Sequence, residues 1–333
     1  MIISAYISVN GFKGLRPGDA ERLTHVNWAF AVVKEGRGSV DHWKNSDAVR
    51  EFNKNKGHLK SVLSVGGWGA GGFSNACMTP EGRETLAQTL ADISYDYGFD
   101  GIDMDWEYPG LPGGNIDYSP KDKYNYTELI RLLREKLGPD KVVSMAAGAM
   151  QDCIDNLELD KLLQYMDFIN LMTYDMCPWN KVNYHTALFA SDKIDNKNGD
   201  AAVKLFTDAG WPIERLTMGA AFYARNYKDV NGLGDTFPGP HPGWANYGSI
   251  VKKSQEAGIP IEYDGKAETA YVYIGREFFS FDNPRSLKAK VDYIRKRGLV
   301  GIMFWEYTCD DENSTLLKAI AEAKILSSQG YLP

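Results

Sequence analysis

The stretch Phe99-Asp100-Gly101-Ile102-Asp103-Met104-Asp105-Trp106-Glu107-Tyr108-Pro109 decides how the chain is read. Ile102, Met104 and Trp106 alternate with Asp103, Asp105 and Glu107, a period of two that predicts a strand with its acids on one face. Successive acids on such a face sit about 6.6–7 Å apart at Cα. Three ionised carboxylates in a row repel one another, and burying them is costly, so the row adds nothing to stability. At least one proton is expected to be shared among them, and its holder can act as an acid near neutral pH. A solvated acidic edge and a hard-cation site are the alternatives. Cation sites usually come from loops with carbonyl and Asn ligands interleaved. The large apolar residues between these acids call instead for a packed opposite face, which favours a catalytic row.

Short apolar runs flank this strand on both sides. Ile2–Ile7, His25–Val33 and Leu59–Val65 precede it; Lys141–Ala147, Asp167–Tyr174, Leu216–Phe222 and Leu299–Trp305 follow. Helices are predicted between most of them. Thr79 as N-cap and Pro80 at the first position start one that runs to Tyr97 before Gly98. Ser119-Pro120 gives the same signal for a helix ending at Gly138, and Asn283-Pro284 for one ending at Gly298. Further helices are read at Ser46–Asn53, Gly199–Ala209 and Asn313–Leu326. Apolar strands alternating with helices imply a parallel sheet, and eight such units imply an α/β fold, the (β/α)8 TIM barrel. A doubly wound open sheet is the alternative, but no Gly-rich fingerprint follows the first strand. In a barrel, function gathers at the C-terminal ends of the strands, where the acids, Trp68, Tyr174 and Trp305 fall.

The connection from Phe222 to Leu299 needs only a loop and a helix but is far longer. Arg225–Gly248 is rich in Gly, Pro and aromatics, and Tyr263–Phe281 is strand-like. Residues 227–282 are therefore read as a small α+β insertion on the active-site side, leaving 1–226 and 283–333 as the barrel.

Asp100, Asp103, Asp105 and Glu107 fit the spacing D-x-x-D-x-D-x-E, with Gly101, Trp106, Tyr108 and Pro109 around them. On these residues the chain resembles the family 18 glycoside hydrolases, the chitinase family, over nearly its whole length. Ser64-Val65-Gly66-Gly67, Met172-Thr173-Tyr174-Asp175, Phe222-Tyr223-Ala224-Arg225 and Phe304-Trp305 extend the likeness. The family more often has Gly where Ala224 stands. Chitinases with a deep groove carry an insertion at this same point, and Phe281-Asp282-Asn283-Pro284-Arg285-Ser286 resembles its exit.

The resemblance implies hydrolysis of β-1,4-linked N-acetylglucosamine, in chitin or its oligomers, without a cofactor or a metal. Glu107 is implied as general acid, hydrogen-bonded to Asp105, with Asp103 deeper. One strand cannot flank a sugar with two carboxylates, and family 18 enzymes use the substrate's own 2-acetamido oxygen as nucleophile. Tyr174 is then expected to hydrogen-bond that oxygen, and Asp105 to orient the acetamido N–H. Trp305 is implied as the floor of the cleavage subsite. Met172, Asp175, Tyr108, Trp68, Gly67, Tyr223, Arg225 and Trp179 are implied as further substrate contacts. Tyr6 and Ser64 resemble the residues that hydrogen-bond the deepest Asp. A hydrolase of N-glycan cores or peptidoglycan would use the same mechanism. A chitinase-like lectin typically lacks the terminal Glu, which this chain keeps.

Composition sets outer bounds. A net charge of −7 argues against nucleic acid or an anionic membrane surface as partner. No run of about 18 apolar residues marks a membrane span. The 8 Trp, 19 Tyr and 14 Phe fit sugar stacking and a large core equally. The four cysteines, Cys77, Cys153, Cys177 and Cys309, show no metal spacing and are expected as free thiols, and the five His residues form no metal or triad pattern. Met1–Tyr6 lacks a basic region and cleavage site, the pattern of a cytoplasmic protein, although a chain trimmed of an export signal gives the same sequence. A monomer is expected.

Overall fold

The computed structural model describes residues 1–193 and 197–328. Its frame is eight parallel strands: β1 (Ile2–Ser8), β2 (His25–Lys34), β3 (Lys60–Gly66), β4 (Gly101–Asp105), β5 (Val142–Gly148), β6 (Phe168–Met172), β7 (Leu216–Ala221) and β8 (Gly301–Trp305). Each pairs with its sequence neighbour, and β8 pairs with β1 through Ile2↔Gly301 to Ala5↔Phe304, so the sheet closes on itself. The (β/α)8 barrel is thus the fold of the chain. Cys77, Cys153, Cys177 and Cys309 are free thiols. No helix among the described residues is long and apolar enough to cross a membrane.

Local chemistry sets the helix ends. Thr79 accepts from the Gly82 N–H, Pro80 is the first helical residue, and Gly98 ends the helix at Pro80–Tyr97 with φ 70°. Asn283 and Ser286 form a capping box at the head of the helix Pro284–Arg297. The Ser119-Pro120 signal acts two residues late: that helix spans Asp122–Leu137. The buried Asp122 carboxylate takes the Ser119 N–H at 2.7 Å and the Ser74 hydroxyl at 2.8 Å, which fixes the entry turn ahead of the helix. The strand predicted over Asp167–Tyr174 ends at Met172, so Thr173 and Tyr174 lie outside the barrel ladder.

Beyond β7 a second sheet forms, of five antiparallel strands. In spatial order they are Gly243–Asn246, Tyr223–Lys228, Glu277–Phe281, Thr269–Ile274 and Glu262–Asp264. Tyr247–Ala257 is its helix. The sheet begins at Tyr223, directly after β7, because Tyr223–Asn226 pair with Gly243–Asn246. This places Tyr223 and Arg225 on an inner strand of that sheet, between Gly243–Asn246 and Glu277–Phe281, directly after the end of β7.

Candidate active site

Every residue of β4 is buried. Asp103 is fully buried, and four side chains from four other strands converge on it. Tyr6 Oη (2.8 Å) and Ser64 Oγ (2.9 Å) donate to Oδ2, while Ser144 Oγ (2.7 Å) and Asn170 Nδ2 (3.0 Å) donate to Oδ1. Donors from β1, β3, β5 and β6 can meet only at the barrel axis, so the acid face of β4 points inward. Asn170 is held in turn by the Thr217 hydroxyl at 2.9 Å. Asp105, one step along the same face, is 4 % exposed, and its Oδ1 finds no hydrogen-bond partner among the described residues. Glu107 lies past the end of the strand and is half-buried.

These environments shift the acids apart. Burial raises the Asp103 carboxyl, and its four donors pull it back. Asp105 is held well above the usual carboxylate range by burial, then by the charges of Glu107 and Asp103. Glu107 is pushed up to about 7, mainly by burial, with the Tyr108 hydroxyl opposing the rise. A row that keeps its proton toward the mouth can therefore deliver it near neutral pH.

Around this row the strand ends build a floor. Trp305 closes β8, stacks on Phe30 at 5.4 Å and 12°, and meets Tyr6 at 5.9 Å. Tyr6, Ala146, Met172 and Met303 form a small apolar cluster with Tyr108, Tyr174 and Trp305 against it. Glycine is required below: a Cβ on Gly66 (φ 121°) would lie 2.2 Å from the Asp105 carbonyl oxygen, and one on Gly67 (φ 91°) would lie 2.6 Å from the Phe30 ring. Gly67 N–H donates to that same Asp105 carbonyl at 2.9 Å.

Tyr174 packs edge-on to Tyr223, ring centroids 6.0 Å apart, and reaches Met303 Sδ at 3.8 Å. Asp175 follows with φ 54° and receives Arg225 in two-pronged contact, at 2.6 and 2.5 Å. His185, fully buried, sits 3.3 Å from Asp175 through Nδ1. Burial pushes the Asp175 carboxyl up, but Arg225 and then His185 outweigh it and hold the group well below its ordinary range. The Asp175 side chain is 40 % exposed, so solvent screens part of this effect.

Three tryptophans stand exposed at this end: Trp68 (57 %), Trp179 (56 %) and Trp244 (48 %). Trp68 meets Tyr108 at 6.5 Å, Trp179 meets His241 at 6.2 Å, and Trp244 stacks on Tyr223 at 5.9 Å. Asp105, Met172 and Trp305 end their strands, Gly67, Trp68, Glu107, Tyr108, Tyr174 and Asp175 follow strand ends, Tyr6, Ser64 and Asp103 lie within the strands, Trp179 lies in the loop after β6, and Tyr223 and Arg225 lie on the second sheet. Asp100, the first acid of the spacing, does not join the row. It lies ahead of β4 and binds Lys56 Nζ at 2.6 Å and the Ser61 N–H at 2.7 Å.

Ser144, Asn170, His185 and Trp244 belong to the site without having been read from the sequence. Asn170 was legible, since it is the only polar residue of Phe168-Ile169-Asn170-Leu171-Met172. His185 has no local signal, because its contact with Asp175 depends on a loop folding back.

The profile of glycosyl hydrolases family 18 matches residues 3–310. Chitinase A1 of Niallia circulans is 33 % identical over 306 residues, 82 % of this chain and 43 % of that protein. The chain spans about half the length of several such relatives. A family 18 N-acetylglucosaminidase from Paenibacillus barengoltzii is 36 % identical, with TM-score 0.91 over 97 % of this chain and 99 % of that one. An Ostrinia furnacalis group IV chitinase, solved with allosamidin, is 25 % identical, with TM-score 0.88 over 99 % of this chain and 100 % of that one. On its sequence, its barrel and these likenesses, the chain belongs to the family 18 glycosyl hydrolases.

Proposed function

We propose that the chain hydrolyses β-1,4-linked N-acetylglucosamine chains with retention, the substrate's acetamido oxygen serving as nucleophile. The observation that carries this reading is the placement of acids. Asp103 and Asp105 stand on one strand with Glu107 just past its end, and Asp175, the acid beyond β6 that Glu107 senses, is already paired with Arg225. Retention by two carboxylates needs a free partner about 5–5.5 Å across the bond.

Glu107 gives its proton to the glycosidic oxygen as the acetamido oxygen attacks the anomeric carbon and the leaving sugar departs. The unpartnered Oδ1 of Asp105 is suited to accept the acetamido N–H, and its charge stabilises the oxazolinium ion. The Tyr174 hydroxyl donates to the acetamido oxygen. Glu107 then removes a proton from water, which attacks the same carbon and breaks its bond to the acetamido oxygen, so two inversions give net retention. Trp305 supports the reacting ring, Met172, Tyr108 and Asp175 line it, and Gly67 keeps the wall close. Tyr223 and Arg225, with Trp68 and Trp179, hold flanking sugars. Residues 227–282 serve as one wall of the groove. The three exposed tryptophans favour extended chains over the compact branch point of an N-glycan.

Proton NMR of the first product tests the mechanism: the β-anomer is expected, and an α-anomer overturns it. A thiazoline mimic of the oxazoline should inhibit as an intermediate analogue. A covalent glycosyl-enzyme on any Asp or Glu would also sink the reading. Product profiles on chitin oligomers, peptidoglycan and glycoprotein test the substrate class, with faster turnover of either rival substrate decisive against it.

A further inference from the structure

Tyr174 stands outside the sheet, and nothing in the β6 ladder holds it. The segment Thr173–Met176 hangs instead on His185 and Thr186. The Thr186 hydroxyl lies 3.2 Å from the Thr173 carbonyl, Asp175 N–H points to His185 Nδ1 at 3.3 Å, and Met176 N–H donates to the His185 carbonyl at 3.1 Å. Those two residues are themselves in a loop, and a loop has no fixed position of its own.

The His185 N–H is held by the Ser280 hydroxyl at 3.1 Å, and Thr186 is anchored by a fully buried ion pair behind the site. Lys290, on the helix Pro284–Arg297, reaches Asp282 Oδ2 at 2.6 Å, Thr186 Oγ1 at 2.7 Å and the Gly219 carbonyl at 3.3 Å. Gly219 also receives the Thr173 hydroxyl at 2.7 Å. Both lysine branches therefore end on Thr173, one through Thr186 and one through Gly219. Space at Gly219 is tight: a Cβ there would lie 3.0 Å from the Tyr174 ring. A buried pair of this kind is a poor source of stability, because desolvation offsets most of the attraction, whereas the direction of its hydrogen bonds is fixed.

We propose that Lys290 is a positioning residue for Tyr174. Paired with Asp282, it fixes Thr186 and Gly219 and through them the Thr173–Tyr174 peptide, so the phenol meets the acetamido oxygen at the angle the attack needs. This rests on the role of Tyr174 proposed above.

The test is a coupling experiment on chitin hexamer. Thr186→Val removes one branch at nearly constant volume; Lys290→Met with Asp282→Asn removes the charges together, which avoids stranding a buried carboxylate. Each is measured alone and in a Tyr174→Phe background. Both are expected to lower kcat, the charge removal by on the order of 10²-fold, with KM within about twofold, as for a group misplaced by a fraction of an ångström. In the Tyr174→Phe background the same changes should cost less than about threefold. Equal losses with and without the phenol, or a loss confined to KM, overturn the proposal while leaving the Tyr174 reading intact. An unchanged kcat in Tyr174→Phe alone overturns that reading and this proposal with it. If the charge-removed protein fails to fold, Thr186→Val decides by the same comparison.

Discussion

Asp103 and Asp105 stand two residues apart on one buried strand and face the same interior, yet Asp103 accepts four hydrogen bonds and Asp105 Oδ1 accepts none. The first is a structural acceptor, tied to four other strands. The second keeps an oxygen without a partner among the described residues, as the proposed role in holding the acetamido group requires. The two should separate cleanly under substitution. Asp103→Ala strands four buried donors and is expected to cost on the order of 3 kcal/mol in urea unfolding at pH 7. Asp105→Asn should stay within about 1 kcal/mol of the parent yet lose about 10²–10³-fold in kcat. The reverse order of stabilities would show that the hydrogen-bond asymmetry does not govern the row.

Glu107, raised to about 7, makes a pH prediction with a definite sign. The general acid must be protonated, so kcat should fall as pH rises through an apparent value near 7 that belongs to the Asp105–Glu107 pair. Folding follows the same sign. A carboxyl raised on folding binds more protons in the folded state, so stability is lost as pH climbs from about 4.5 to about 7. Glu107→Gln should abolish turnover, retain sugar binding, and exceed the parent in stability at pH 8 by on the order of 1–3 kcal/mol, with no advantage below pH 4. Chemical denaturation at the two pH values, with a kcat profile of the parent, checks both halves.

On the roles proposed above, Trp305 and Trp179 should separate catalytic from remote binding. Trp305 is packed between Phe30 and Tyr6, whereas Trp179 is 56 % exposed beside His241. Trp305→Ala should lower kcat by about tenfold or more, because binding there contributes to ring distortion. Trp179→Ala should act on KM for long oligomers and leave kcat within about twofold. Equal effects on kcat in folded proteins would contradict this assignment.

Gly66→Ala places a methyl 2.2 Å from the Asp105 carbonyl oxygen in a backbone region with φ 121°. A stability loss of about 1–3 kcal/mol is expected, with reduced kcat because β4 must shift under Asp105. A parent-like thermal midpoint would count against the close approach.

Much of this was legible in the sequence because period and punctuation act locally. The alternation from Ile102 to Glu107, the Thr79-Pro80 start and the Asn283 cap each depend on neighbours within a few residues. The start at Ser119-Pro120 was displaced because Asp122 binds Ser74, 48 residues away, which no local signal reports. The acid row and its resemblance named Tyr6 and Ser64, but not Ser144 and Asn170, which complete the shell around Asp103. Asp100 fits the same spacing as the row and serves Lys56 instead, since it precedes the strand whose pleat aligns the others. His185 is one of the five histidines that show no metal or triad spacing in the sequence. Only the fold-back of its loop brings it to Asp175.

The second sheet leaves the barrel at Ala221 and returns at Asp282, and the Asp282 carboxylate accepts the Ala221 N–H at 2.9 Å. Departure and return are thus stitched by one bond, like the drawn neck of a bag. Lengthening or trimming the far hairpins, around Gly232 or Gly275, is expected to change the depth of the cleft without disturbing the strands beneath. Groove architecture in this chain is thereby separable from its chemistry: the pouch can be recut while the seam, and the acids below it, stay where they are.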